Sequence, residues 1–151
     1  MSKDFQILGM EGVINEIKLL SDDRMKRLEI LKILRRQMKP ILAAVKANTP
    51  IATKTIKGRN GKVYEPENLK KSFAIKTSPM KKYPNVLVGP RKGNSAKYDG
   101  FYAFWIEYGA YDIPATNFIS NAAEPLMGSV NTTMSDELEK YIYKKAETLN
   151  L

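Results

Sequence analysis

The chain has 151 residues, with 25 Lys plus Arg against 16 Asp plus Glu, a formal charge of +9, and neither cysteine nor histidine. Without those two residue types there is no disulfide framework, no zinc site of nitrogen and sulfur ligands, no thiolate nucleophile and no imidazole titrating near neutrality, so Ser-His-Asp and Cys-His catalysis are excluded. The length suits one domain, 1–151, with a core that needs no covalent staples.

No apolar run approaches the ~18 residues that span a bilayer. The first eight residues lack the basic and apolar regions of a secretion signal, so a soluble protein, intracellular when made, is expected. The charge is unevenly placed: net −1 over residues 1–20, +5 over 21–49, +9 over 50–100 and −4 over 101–151. A basic middle opposed by an acidic end suits a surface for phosphate, or two faces of opposite sign through which copies meet head to tail; a solvated surface without a partner is the plainer alternative.

Phe5 and Ile7 alternate with polar neighbours as a short strand would, and Gly9 and Gly12 bracket a break. Val13, Ile14, Ile17 and Leu20 keep a helical spacing that ends at Ser21. Ser21 is a good N-cap, and Asp22 and Asp23 place negative charge in the first turn of a second helix. Its apolar face reads Leu28, Leu31, Leu34, Met38, Ile41, Leu42 and Val45. Pro40 either kinks this helix or opens a new one near its first position, and because the stripe keeps phase through the proline, a kinked continuous helix is predicted. Arg24, Lys26, Arg27, Lys32, Arg35, Arg36 and Lys39 fall on the opposite, solvent-facing side, and Pro50 ends the segment.

Residues 53–68 have no sustained apolar period and contain Gly58, Gly61 and Pro66. They read as a flexible basic loop, or a loose hairpin turning at Asn60-Gly61. Gly58 to Lys62 is not a nucleotide loop: a phosphate-binding loop needs four residues between its glycines and a Ser or Thr after the lysine, whereas here there are two and then Val63. Phe73 and Ile75 alternate with polar or small neighbours, and Val86, Leu87 and Val88 precede Gly89-Pro90, which predicts two strands pairing around residues 78–85. A second glycine-rich basic loop follows over 89–100. With Tyr64, Tyr83 and Tyr98 interleaved, the two loops would suit nucleic acid through phosphates and stacking, or would be ordered by a protein partner.

The densest aromatic stretch is Phe101 to Gly109. Period two would align Tyr102, Phe104, Ile106 and Tyr108, while helical spacing groups Phe101, Phe104, Trp105 and Tyr108 with Gly109 as a natural stop, and both remain open. Glu107, inside so apolar a run, needs a hydrogen-bonded or charged partner if buried; with no second acid at a recognisable spacing it reads as an anchor, not a catalyst. From Pro125 the chain reads as a last helix with Met127, Val130, Met134, Leu138, Tyr141, Ile142 and Leu149 along one side. A break near Gly128, with Ser135 capping a shorter helix, is the alternative. The expected class is α+β, a small, mostly antiparallel sheet packed against a long N-terminal helix and a C-terminal helix, with long basic loops.

Three blocks carry a family likeness: Ala44-Val45-Lys46-Ala47-Asn48-Thr49-Pro50-Ile51, then Tyr102-Ala103-Phe104-Trp105-Ile106-Glu107-Tyr108-Gly109, then Pro114-Ala115-Thr116-Asn117-Phe118-Ile119 through Ala122. In this order they resemble the siphophage head-tail joining proteins, also called tail-completion or neck proteins, of tailed phages and prophages. The likeness runs over nearly the whole chain, and the second block is its most specific part. Departures are the missing family glycine after Thr53, the stretch before Leu69-Lys70-Lys71-Ser72 that makes 53–68 look like an inserted loop, Ala110 for the usual threonine and Asn117 for the usual proline.

The resemblance implies a non-enzymatic structural protein forming a homo-oligomeric ring between the portal or adaptor side of the capsid and the tail. Its place would be the virion, and the host cytoplasm during assembly, with no cofactor, metal, membrane or small-molecule substrate. A ring repeats one heterologous contact around an axis. Tyr102, Trp105, Glu107, Tyr108 and Phe118 are the candidate subunit-interface or core anchors. Lys54, Lys57, Arg59, Lys62, Arg91, Lys92 and Lys97 are the candidates for contacts with neighbouring rings or with DNA passing through. A tail terminator capping the tail tube, and a basic nucleic-acid-binding protein, are the alternatives.

Overall fold

The computed structural model describes residues 24–59, 61–78, 85–93 and 96–148. The strand and helix expected before Ser21, the Ser21–Asp23 cap, Asn60, Tyr83 and Leu149 lie outside them. The fold is α+β. Its elements are α1 (Arg24–Gln37), α2 (Lys39–Asn48), β1 (Ile56–Lys57), β2 (Val63–Tyr64), α3 (Asn68–Ser72), β3 (Phe73–Ser78), β4 (Asn85–Pro90), α4 (Ala103–Tyr108) and α5 (Phe118–Thr148). In place of one small sheet there are two two-stranded antiparallel sheets, β1–β2 and β3–β4.

The described residues divide into two compact units, one made of 24–37, 77–78, 85–86 and 128–148, the other of 38–76 and 87–127. In the first, α1 runs antiparallel to the later part of α5. Glu29 meets Tyr141 and Lys145, whereas Arg36, further along α1, meets Glu137, earlier on α5. Ile30 and Leu31 are buried, as are Val130, Met134 and Leu138 at steps of four, the spacing expected of a helix burying one stripe. The Tyr141 hydroxyl donates to Glu29 Oε2 at 2.6 Å. That bond, opposed by some burial and aided by Lys145, holds the Glu29 carboxyl below its ordinary range.

The apolar stripe of α1 is rotated from the one expected. Arg27, expected toward solvent, is only 6% exposed, and Leu28, expected in the core, lies at the exposed margin. Ile30, Leu31 and the half-buried Leu34 continue the face that Arg27 begins. A long arginine side chain can line an apolar seam with its methylenes, which is why composition alone misplaces it.

The kinked continuous helix is replaced by two helices that meet at Met38. Pro40 lies in the first turn of α2, where its missing N–H removes the bond that Arg36 would otherwise accept. Met38 nevertheless keeps φ −81° and ψ −9°, and its carbonyl accepts from Leu42 N at 3.0 Å. Ile41 and Val45 are buried, and Thr49 Oγ1 turns back to donate to the Val45 carbonyl at 2.7 Å, closing α2.

In the second unit the segment 53–68 forms the hairpin, with Ile56 opposite Tyr64 and Lys57 opposite Val63. Gly61 N donates to Gly58 O at 3.0 Å, with Gly61 at φ +76°, a turn conformation that glycine adopts without strain. Leu69, Phe73, Ile75, Ala103, Phe118, Ala122 and Ala123 are buried in this unit. Phe73 meets Phe118 edge to face at 5.8 Å.

Gly100 seats the chain between β4 and α4. Its amide donates to Arg91 O, and Arg91 N donates to Ser72 O, both at 2.8 Å. A β-carbon here would lie 2.2 Å from Ser72 Oγ and 2.7 Å from Pro90 Cβ. Ser72 is fully buried and tied to Leu69 O at 2.6 Å, so it has little room to move. Gly100→Ala should therefore lower stability by about 2–3 kcal/mol through overpacking, read as a lower urea midpoint with unchanged slope; an unchanged midpoint would contradict the close approach.

The last helix begins at Phe118, earlier than expected, with Pro125 in its interior and no break at Gly128. Its start is set by the carboxylate of Glu107, and local pattern carries no trace of such a cap.

Candidate functional site

Residues 103–108 are helical, which settles the choice between strand and helix. Phe101, in the turn before α4 and against the Trp105 ring, and Phe104, Trp105 and Tyr108 on α4 make up one aromatic face. That face is the exposed one: their exposures are 44%, 59%, 45% and 57%, while Ala103 and Glu107 are each 2% exposed. The rings order one another. Phe101 meets Trp105 edge to face at 5.6 Å and Tyr102 at 5.4 Å, and Phe104 meets Tyr108 at 4.8 Å. Tyr64, from β2, lies 6.2 Å from Phe101 and 6.1 Å from Tyr102.

The half-buried Tyr102 accepts from Asn68 Nδ2 at 3.0 Å, and burial pushes its phenol up from the ordinary value. Of the sequence-derived anchors, Glu107 and Phe118 are in the core, Tyr102 is at its margin, and Trp105 and Tyr108 are on the surface. Phe101 and Phe104 belong with Trp105, as their helical spacing signalled.

The aromatic face is held from beneath. Glu107 accepts three hydrogen bonds at the start of α5: from Ile119 N at 2.7 Å, Ser120 N at 3.0 Å and Ser120 Oγ at 2.5 Å. A carboxylate satisfying the orphan amides of a helix N-terminus is favoured by both hydrogen bonding and the helix dipole. Thr116 N and Oγ1 donate to Ile106 O, at 3.0 and 2.8 Å, and Asn117 N donates to Glu107 O at 3.0 Å. The end of α4 and the start of α5 thus complete each other. Gly109, at φ +82°, makes the turn possible, since a β-carbon would approach Ile113 O to 2.9 Å.

The basic loops divide into two kinds of residue. Lys54, Lys57, Arg59, Arg91, Lys92 and Lys97 are exposed. Lys62 instead turns toward the second loop: its ammonium donates to Ala96 O at 3.0 Å and Gly93 O at 3.4 Å, and lies 3.6 Å from Asp99 Oδ2. Asp99, 5% exposed, also accepts from Gly93 N and Phe101 N, at 3.2 and 3.1 Å. Asn68 Nδ2 donates to Asp99 O at 2.8 Å. Lys62 therefore ties the hairpin to the 91–100 loop, and so differs from the outward basic residues with which its sequence grouped it.

Lys62→Ala should cost about 1–3 kcal/mol by leaving a buried carboxylate without its cation. Hydrogen exchange should quicken at the Gly93 and Phe101 amides; unchanged protection there would contradict the tie. Lys76 and Lys71 were not among the loop residues expected from the sequence, because only the fold brings them beside the loop, whereas Tyr98 was. Lys76 Nζ donates to Pro90 O at 2.7 Å, and the ammonium groups of Lys71 and Lys97 lie 5.8 and 5.4 Å from the Tyr98 ring centre.

An open groove of about 410 Å³ lies between α1 and α5, around the Glu29–Tyr141–Lys145 set. Among the described residues no group of three or more carboxylates could hold a metal, and no helix is long and apolar enough to cross a membrane. The site offers large rings on a braced helix and cations on a braced loop. No family model matches the chain, and no curated protein or solved structure matches it.

Proposed function

We propose that this chain is a structural, non-enzymatic subunit of a tailed-phage neck, a head-tail joining protein acting in the virion as a homo-oligomeric ring between the portal or adaptor side of the capsid and the tail. The observation that carries this is the outward aromatic face at α4: Phe101, in the turn before the helix, and Phe104, Trp105 and Tyr108 on it are each between 44% and 59% exposed, and the far side of the helix is clamped by Glu107. Aromatic side chains bury ~150–250 Å² each, so four half-exposed rings leave on the order of 400 Å² uncovered. At about 25 cal/mol per Å², covering them is worth roughly 10 kcal/mol before the costs of association.

Preorganised aromatic anchors of this kind are what interfaces use, and a single heterologous contact repeated around an axis closes a ring. The resemblance of the three sequence blocks adds the location. Electron microscopy of the purified full-length protein at high concentration is the test. Closed rings of one diameter are expected. A subunit that stays single at every concentration while binding DNA would instead fit the free nucleic-acid-binding reading.

A further inference from the structure

Of the carboxylates in residues 101–151, Glu107 is enclosed at the start of α5 and Glu137 is paired with Arg36 at the surface. Of the seven loop cations expected from the sequence, all but Lys62 are exposed. Lys76, exposed on β3, is bonded to the Pro90 carbonyl at 2.7 Å, which sets it alongside Arg91 and Lys92, both exposed. The ammonium of Lys76 titrates below the ordinary lysine value, first through partial burial and then through repulsion from Lys92 and Arg91.

Further along the loop, Lys97 and Lys71 flank the Tyr98 ring, Lys71 being also paired with Glu67 at 2.9 Å. The backbone carrying these cations is fixed by Asp99 and by the Arg91–Ser72 and Gly100–Arg91 hydrogen bonds.

We propose that Lys76, Arg91 and Lys92, at the end of the β3–β4 sheet, form a docking surface for the phosphate backbone of duplex nucleic acid, bound without regard to sequence. Like charges held together on rigid backbone are relieved by a polyanion, which releases its counterions on binding. The set has no hydrophobic anchor among its members, as a protein hot spot would. With two ammonium groups on the Tyr98 ring, stacking on an unpaired base is disfavoured, which selects a duplex over a single strand. The proposal deepens the neck reading, whose ring would admit DNA, but does not need the ring to close; ring formation without duplex binding, or the reverse, separates the two.

The test is titration of a short fluorescent DNA duplex with the full-length protein across a salt series. Lys76→Ser/Arg91→Ser/Lys92→Ser should weaken binding at least ~10-fold at low salt and lower the salt slope by about 2–3, near 0.9 for each phosphate that is no longer neutralised. The charge-keeping variant Lys76→Arg/Arg91→Lys/Lys92→Arg should bind like the parent. Arg24→Ser/Lys32→Ser/Lys144→Ser, which removes equal charge elsewhere, should bind within about twofold of the parent, because those cations make no phosphate contact. Equal weakening in the two serine variants, or no duplex binding by the parent at low salt, would overturn the proposal. So would polyglutamate displacing the duplex at lower charge concentration than unlabelled duplex does, since an acidic protein would then be the better partner.

Discussion

Glu107→Ala is expected to destabilise the fold by about 3 kcal/mol, a shift of roughly a hundredfold or more in the ratio of folded to unfolded chain. Glu107 is 2% exposed and is the common acceptor for Ile119 N, Ser120 N and Ser120 Oγ. Alanine removes all three bonds, leaves the α5 amides without an acceptor, and takes negative charge from a helix N-terminus. Glu107→Gln keeps the shape but only one carbonyl oxygen and sets an NH₂ against a donor, so about half the loss is expected. Urea unfolding gives the magnitude and hydrogen exchange at the Ile119 and Ser120 amides gives the place. A change below ~0.5 kcal/mol with protected amides would contradict the clamp.

Phe104→Lys/Trp105→Lys is expected to abolish self-association while leaving the subunit folded. The two side chains are 59% and 45% exposed, so charge there is readily solvated in the single subunit but must be stripped of water in an interface. Removing about 200 Å² of apolar interface is worth roughly 5 kcal/mol, or three to four powers of ten in association. The folded subunit loses the Phe101–Trp105 and Phe104–Tyr108 ring pairs, each worth about 1 kcal/mol, so thermal unfolding should fall by only several degrees. Normal association by this variant would place the interface elsewhere on the molecule.

Much of the helical architecture was legible in residue spacing. Val130, Met134 and Leu138 were expected on one face of the last helix and are buried together. The need of Glu107 for a partner was legible from its apolar neighbours, whereas the partner was not. The start of α5 is twelve residues away in the chain at its nearest bond, and no local pattern announces a cap delivered across a turn.

Two prolines show the same divide. Pro40 opens α2, as its preference for the first helical turn allows, while Pro125 sits inside α5, whose first turns are packed through Phe118, Ala122 and Ala123. Local preference is overridden where tertiary packing and a remote cap hold the helix. The outward direction of the aromatic face was the hardest to read. Hydrophobicity alone points Trp105 inward, but the inward face is already taken by Ala103 and by a carboxylate with three donors waiting for it. Lys62 escaped for a related reason: a lysine in a basic stretch has no sequence mark distinguishing a cation offered to solvent from one bound to Asp99, far along the chain.

Sedimentation equilibrium of the full-length protein over a wide concentration range tests the central claim most directly, because it reads mass without regard to partner. A single closed species of fixed multiple mass should form at high concentration and be absent in Phe104→Lys/Trp105→Lys. A mass equal to one subunit at every concentration, or open growth to ever larger species that the double variant does not alter, would contradict ring assembly through the aromatic face of α4.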